Sequence, residues 1–421
     1  METEILELQK TITSLRFNSF KDNWIKNGLG HVCIKIQDGN YGASYPKAEE
    51  FVEKGIPFLT SKAIGGDGVL IKEKIDFIPL SKHQSLKKAH LKLNDVLFTN
   101  RGANVGTVGF VTAEISHGNI GPQLTLLRAD LNQISPLFLR FLMISPSFQK
   151  QLKAQDSGSA MNFFGIGTTS KFKIFTPSLP EQQKIASFLS AVDKKIQQLT
   201  RKKELLESYK KGVMQQLFSQ EIRFKDEVGN NFPEWEEKKL GELATFSKGK
   251  GISKDDILED GLNPCIRYGQ LYTTYKETIE HTISKTNVPK KKLVLSEAGD
   301  VIIPASGETQ IDIATASCVL KEGIALGGDL NIIRGSFNGV FLAYYLNAHL
   351  KTDIARLSQG SSVIHLYATQ LKNLKLEIPA IEEQQKIAEF LSAIDKKIEA
   401  VSQQIEKTHS FKKGLLQQMF I

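Results

Sequence analysis

EQQKIASFLSAVDKKI at residues 181–196 and EQQKIAEFLSAIDKKI at residues 383–398 are one segment written twice. Fourteen of the sixteen positions are identical, at an offset of 202 residues. The match continues without a gap into YKKGVMQQLF (209–218) against FKKGLLQQMF (411–420). A chain that repeats itself at a fixed period is organised around that period.

In the first copy apolar residues fall at Ile185, Leu189, Val192, Ile196, Leu199, Leu206, Val213 and Leu217, with Lys203 and Lys210 in the positions that interrupt the stripe. In the second they fall at Ile387, Leu391, Ile394, Ile398, Val401, Ile405, Leu415 and Met419, with Thr408 in the series. Spacings alternating between four and three over about five heptads predict a coiled-coil seam. Pro180 and Pro379 stand at the helix starts, where a proline sacrifices no backbone hydrogen bond. Glu181 and Glu383 fall in the first turns, where the helix dipole favours a carboxylate. A helix over 181–218 would be about 57 Å long, and the stripe of matching length is the other copy. The expectation is therefore two long helices packed antiparallel, which gives pseudo-twofold symmetry and one globular unit at each end. Its packing residues would be Ile185, Leu189, Val192, Ile196, Leu199 and Leu206 of one helix, and Ile387, Leu391, Ile394, Ile398, Val401 and Ile405 of the other. Gly212 and Gly414 occupy matching mid-helix positions, at a cost of about 1 kcal/mol each against alanine. That pairing implies a bend or a close backbone approach.

Outward from the two copies the similarity fades. Asp156–Ser159 faces Ser358–Ser361, with Gly158 opposite Gly360, and FTP at 175–177 faces EIP at 377–379. NDVL at 94–97 resembles GDVI at 299–302, and LLR at 126–128 resembles IIR at 332–334. LRF at 15–17 followed by Trp24 echoes IRF at 222–224 followed by Trp235. The chain thus divides into an N-terminal helical segment (1–16, carried by Ile5, Leu8, Ile12 and Leu15), a globular unit (17–180), a repeated helix (181–221), a second globular unit (222–382) and a second repeated helix (383–421). The chain ends are expected to lie close together. Segments that are near-copies do one job twice; units that diverge do related but different jobs.

Strand-like runs in the first unit are Val32–Ile36, Asp95–Phe98, Gly106–Val111 and Gln123–Arg128, followed by a helix over Pro136–Leu152. In the second they are Val301–Ile303, Ser317–Leu320 and Leu330–Arg334, followed by a helix over Val340–Leu357. Strands first and a late helix predict the α+β class, not alternating βαβ. Gly-rich polar loops punctuate both units. The first offers Ser61 and Lys62, then Asn100, Arg101 and Asn104, then Gln123, then Ser157 and Ser159. The second offers Arg267, Tyr268 and Gln270, then Ser306, Thr309 and Gln310, then Ser358, Gln359, Ser361 and Ser362. Several of these are types that read base edges, arginine on guanine and asparagine or glutamine on adenine. They are also the types that close ordinary turns.

The 421 residues carry a net charge of +8 and a pI near 9.0, which favours a polyanionic partner. Three scattered cysteines point to reduced thiols and a cytoplasmic location, and the eight histidines form no i, i+4 pair or Cys/His cluster suited to zinc. No apolar run approaches the roughly 20 residues that span a bilayer, and METEILELQK lacks the basic start and apolar core of a signal peptide.

With the doubled PxxxEQQKIAxFLSxxDKKI segment (Pro177–Ile196 and Pro379–Ile398), the opening RF…W (Arg16-Phe17…Trp24 and Arg223-Phe224…Trp235) and the alternation of variable and repeated parts, the whole chain resembles the specificity subunit of type I restriction–modification systems. The resemblance implies two α/β-mixed target-recognition domains, each reading one half of a split sequence in double-stranded DNA. It implies that the helices act as a spacer and dock two methyltransferase (M) subunits, which bind S-adenosylmethionine. A separate restriction/translocase (R) subunit would use ATP and Mg2+. This chain itself would bind no cofactor or metal and catalyse nothing. The first unit departs from the second after Trp24, reading GLGHVCIKIQDGNYGASYPK where the second has KKLGELATFSKGKG after Trp235; that implies a different half-site.

The sequence holds no Asn/Asp-Pro-Pro-Tyr/Phe tetrapeptide of an adenine methyltransferase and no GxxxxGK[ST] phosphate loop. Gly249-Lys250-Gly251 is a lone GxG, and Glu236-Glu237-Lys238 matches a nuclease-like Glu-x-Lys that arises by chance in a chain with 24% charged residues. The alternatives are a fused methyltransferase or nuclease, a stand-alone DNA-binding or scaffolding coiled-coil protein, and the specificity subunit of a related restriction system.

Overall fold

A computed structural model describes residues 13–66, 68–155, 163–360 and 363–421. The chain forms two compact units, one of residues up to 200 together with 403–421, the other of residues 201–402.

In the first unit, β1 (Ile25–Gly28) pairs antiparallel with β9 (Lys173–Thr176), which ties the unit's entry to its exit. A four-stranded sheet runs in the order β2 (Cys33–Asp38), β8 (Leu124–Ala129), β5 (Val96–Thr99), β6 (Val108–Phe110). A three-stranded sheet runs β4 (Asp76–Ile78), β3 (Ile56–Leu59), β7 (Asn119–Ile120), its last pair parallel. Helices α1 (Pro136–Ile144) and α2 (Pro146–Ala154) follow β8. The sequence reads them as one helix. Ser145 breaks it by capping the Phe148 N–H, with Pro146 set in the next first turn.

The second unit repeats the plan. β10 (Glu236–Lys239) pairs with β23 (Lys375–Ile378). One five-stranded sheet runs β11 (Ala244–Lys248), β21 (Leu330–Gly335), β17 (Asp300–Pro304), β19 (Ser317–Val319), β14 (Thr278–Ile279). The other runs β12 (Ile257–Leu258), β15 (Ser284–Thr286), β13 (Asn263–Ile266), β20 (Ala325–Leu326), β16 (Val294–Leu295), with β13 and β20 parallel as β3 and β7 are. A short ribbon joins β18 (Ser306–Gly307) to β22 (Ile364–His365). The expected single late helix is again two, α4 (Gly339–Ala348) and α5 (Lys351–Leu357). In both units the alternation of sheet strands with a late helix pair is the expected α+β arrangement.

The repeated segments are helices α3 (Leu179–Phe218) and α6 (Ile381–Gln418). In the first unit the start of α3 packs with the end of α6: Asp193 bonds Lys412 at 2.6 Å, and Ile185 and Leu189 share a core with Leu415 and Met419. In the second the end of α3 packs with the start of α6: Lys210 bonds Asp395 at 2.8 Å, and Val213 and Leu217 share a core with Ile387 and Leu391. Start against end in each unit is the antiparallel sense. The stripe does more than form a two-helix seam. It is two residues wide (Ile185 with Ala186, Ile387 with Ala388), so it also meets globular side chains, Trp24 and Phe138 in one unit and Phe341 and Tyr345 in the other. The compact units accordingly extend into both helices. Ile196 and Leu206 are partly buried against these cores, Leu199 and Val401 are buried, and Ile405 is half-buried.

A Cβ added at Gly212 or Gly414 would meet nothing within 4 Å among the described residues beyond its own helix backbone, so none of them supplies the close approach. Ile5, Leu8 and Ile12 of the expected N-terminal helix lie outside the described residues, and 13–16 are not helical; there Leu15 N–H donates to the Gln418 carbonyl at 3.0 Å, which joins this end of the described chain to the last turn of α6.

Candidate nucleic-acid interface

The residues that repeat between the units turn out to be frame. Glu181, 1% exposed, takes Arg16 Nε and Nη2 at 2.7 Å each, while Arg16 Nη2 also donates to the Asp22 carbonyl. Glu383, fully buried, takes Arg223 Nη2 at 2.8 Å and Trp235 Nε1 at 3.2 Å. The hydrogen bonds to these carboxylates raise both arginine pKa values above the ordinary guanidinium value. Gln182 accepts from Ser135 N–H and donates to the Gln133 and Pro177 carbonyls; Gln384 accepts from Asn338 N–H and donates to the Pro379 carbonyl. The EQ of each copy therefore locks the helix start to the RF…W entry and to the loop before α1 or α4. Likewise the paired NDV/GDV and LLR/IIR signals meet as Asp95–Arg128 and Asp300–Arg334, each at 2.7 Å with the aspartate 1% exposed.

Divergent residues converge elsewhere. In the first unit Asp38 pairs with Thr125 and Thr99 with Leu124, so the loops after β2 and β5 and before β8 leave one end of the sheet. Gly121 N–H donates to the Leu59 carbonyl, which brings Thr60–Lys62 beside them, and Arg101 bridges Phe163. In the second unit Lys248 pairs with Asn331 and Pro304 with Leu330, gathering the equivalent loops. Gly327 N–H donates to the Ile266 carbonyl, and Ser306 pairs with His365, which in turn bridges Gln359. The approach is so close that a Cβ on Gly39 would stand 1.9 Å from the Gly121 carbonyl oxygen, and one on Gly249 would stand 1.9 Å from that of Gly327.

The described candidate residues thus share one end of each unit, but not one role. Asn100 is fully buried; its amide donates to Thr125 Oγ1 (2.9 Å) and Asp38 Oδ1 (3.2 Å) and accepts from Arg101 Nε (3.2 Å). It cannot reach a base, so its place among the base-reading candidates is corrected to one of support. Ser358 is buried and donates to the Ala355 carbonyl, closing α5; Ser306 is buried in the β18–β22 ribbon; these too are structural. Gln270 spends both amide atoms, on Arg267 N–H and Ser284 Oγ, and Thr309 caps the turn at Asp312. Gln123 Oε1 is buried without a partner among the described residues. Lys62 is exposed and ion-paired with Asp76 at 2.8 Å. Asn104, Gln310 and Gln359 are exposed, and Ser61, Arg101, Arg267 and Tyr268 half-buried. Ser157, Ser159, Ser361 and Ser362 lie outside the described residues.

Sequence reading missed a set of cation–aromatic pairs at the same ends. Arg101 lies 4.5 Å from the Phe163 ring centroid, Lys88 4.0 Å from that of exposed Tyr41, and Lys248 6.0 Å from that of exposed Tyr367, which stacks on His365. The exposed run Lys290–Lys292 passes beside Gly251. Of these, only the lysine run left a local signal in the sequence. Such pairs suit a phosphate-rich partner with stacked bases. Among the described residues no group of three His, Cys, Asp or Glu could hold a metal, and no helix is long and apolar enough to cross a membrane.

Comparisons with known proteins agree with this layout. The family model described as the type I restriction modification DNA specificity domain matches twice, at residues 22–208 and 233–408. The type I restriction enzyme MjaVIII specificity subunit of Methanocaldococcus jannaschii is 25% identical, over 87% of this chain and 86% of its own length. The MjaIX specificity subunit of the same organism is 23% identical, over 89% and 88%. Among solved structures, the type I restriction-modification S subunit from M. genitalium superimposes with a TM-score of 0.62 at 18% identity, covering 97% of this chain and 99% of the other.

Proposed function

From the premise that this chain belongs to the type I restriction–modification DNA specificity family, we propose that it confers DNA sequence specificity as a binding subunit without catalysis of its own, each unit reading one half of a bipartite target in double-stranded DNA. The observation that carries the reading is the double family match laid over one fold plan used twice, with its divergent loops gathered at one end of each unit. Helices α3 and α6 act as the spacer. They also present one dock twice: Tyr209 and Phe411 are 52% and 54% exposed, and each lies one turn before an open glycine, Gly212 or Gly414. The occupants of the docks are two methyltransferase subunits, which bring S-adenosylmethionine. Restriction subunits bring ATP and Mg2+, and the assembly works in the cytoplasm.

The test is co-expression with the cognate methyltransferase subunits in a host without other adenine methylation, followed by single-molecule methylome sequencing. The expected result is one motif of two defined halves around an undefined spacer. A contiguous motif, or methylation by the isolated chain with S-adenosylmethionine alone, would overturn the proposal.

A further inference from the structure

We infer that Arg101 reads a guanine, through its O6 and N7, in the half-target of the first unit. The inference rests on the DNA-reading function above and names one of its specificity contacts.

Thr125 Oγ1 donates to Asp38 Oδ1 at 2.6 Å, and both oxygens accept from Asn100 Nδ2. Asn100 is fully buried, so its amide has one orientation that satisfies this network, and that orientation turns Oδ1 toward Arg101. Arg101 Nε donates to it at 3.2 Å, and the guanidinium lies over Phe163. One ring and one hydrogen bond fix the plane of the guanidinium, while no partner among the described residues takes Nη1 or Nη2. A planar fork held by its Nε side and open at its Nη edge is the donor geometry that matches guanine O6 and N7 in the major groove. Ordering it before binding removes the entropy cost of fixing a long side chain on the DNA.

The second unit argues for base reading over phosphate contact. Asn100 N–H bonds the Gln123 carbonyl and Asn100 C=O accepts from Phe164; Ala305 N–H bonds the Asp329 carbonyl and Ala305 C=O accepts from Leu366. Arg101 opposite Phe163 is therefore, place for place, Ser306 opposite His365. A phosphate contact belonging to the shared frame calls for a cation in both units. A cation in one and a buried serine in the other is what two different half-sites call for.

The test is methylome sequencing of the full complex carrying Arg101→Ala or Arg101→Lys, beside the unaltered chain. The unaltered motif is expected to contain a G·C pair in the half that belongs to residues 17–180. Both variants should relax that one position, with discrimination falling on the order of 10- to 100-fold, while the other half and the spacer persist and report a folded, assembled complex. Arg101→Lys keeps the charge and loses the fork, so relaxation in it separates base reading from charge. An unchanged motif methylated uniformly less would mark a phosphate contact and overturn the inference, as would a first half without any G·C pair. If Arg101→Ala abolishes methylation altogether, Arg101→Lys decides by the same criterion. Absence of any bipartite motif in the unaltered complex would instead overturn the function itself.

Discussion

At the same point of the same fold, the first unit places an arginine stacked on Phe163, and the second a buried serine paired with His365, beside Tyr367 and Lys248. Further along each unit, Glu181 and Glu383 make the same arginine contact almost atom for atom. Each unit keeps its mechanical residues and its variable residues in separate places. Residues that hold the helices to the domains are used twice because the mechanical task is the same twice. On the function proposed above, residues at the open end of the sheet differ because the two half-targets differ.

The largest effect should come from exchanging residues 17–180 for the corresponding unit of another family member. Methylome sequencing should show one half-site replaced outright and the other retained. A change in both halves would mean that the units do not read independently.

Next in size is the frame. Removing one partner of a buried ion pair leaves the other charge uncompensated, at a cost of about 3–5 kcal/mol. Glu181→Ala and Glu383→Ala should both fall in this range by chemical denaturation. Glu383→Ala should be the worse, since it strands Trp235 Nε1 as well as Arg223, whereas Trp24 Nε1 has no partner among the described residues. Equal costs would show that the indole bond contributes nothing.

Much of this frame is legible in the amino-acid sequence. The two helices announce themselves because a long stripe at helical spacing has no other use, and the RF…W, NDV and LLR echoes mark residues that do meet in space. The partner set of each loop residue is not legible there. Asn100 and Arg101 are adjacent polar residues in sequence; only the fold, by passing β2 and β8 beside them, buries one as a support and leaves the other's fork without a partner among the described residues. Phe163 and Arg101 meet across a long stretch of chain, and no local pattern predicts their contact. The stripe itself also conceals that it faces domain cores as well as the other helix, because periodicity reports which face is buried and not what covers it.

A smaller and graded difference concerns alkali. Burial pushes the thiols of Cys33 and Cys318 up to about 12 and that of Cys265 to about 11, and burial likewise raises Tyr345 to about 12. Each group stays neutral in the folded chain at a pH where the unfolded chain ionises it. Their stabilising contribution is therefore complete below about pH 9 and is lost as pH rises toward 11–12. One of these groups lies in the first unit and three in the second. Hydrogen exchange at pH 10 against pH 7.5 should show protection falling first in residues 201–402; earlier loss in the first unit would contradict the assignment.

The smallest effect tests what the two units still share. Gly212 and Gly414 lie inside helices where alanine is favoured by about 1 kcal/mol, and a methyl group at either would meet nothing among the described residues beyond its own helix backbone. Gly212→Ala and Gly414→Ala should each raise the isolated chain's stability by roughly 0.5–1 kcal/mol, seen as a small upward shift of Tm. If the glycines persist because a partner's backbone lies against them, the same substitutions should weaken binding of the methyltransferase subunit, each at one of the two docks, measured by titration with that subunit. Stabilisation with unchanged binding would remove the glycines from the dock and leave the exposed Tyr209 and Phe411 as its remaining marks. Destabilisation of the isolated chain would mean that the helices need flexibility there for their own packing, and that the two copies share a mechanical feature rather than a binding one.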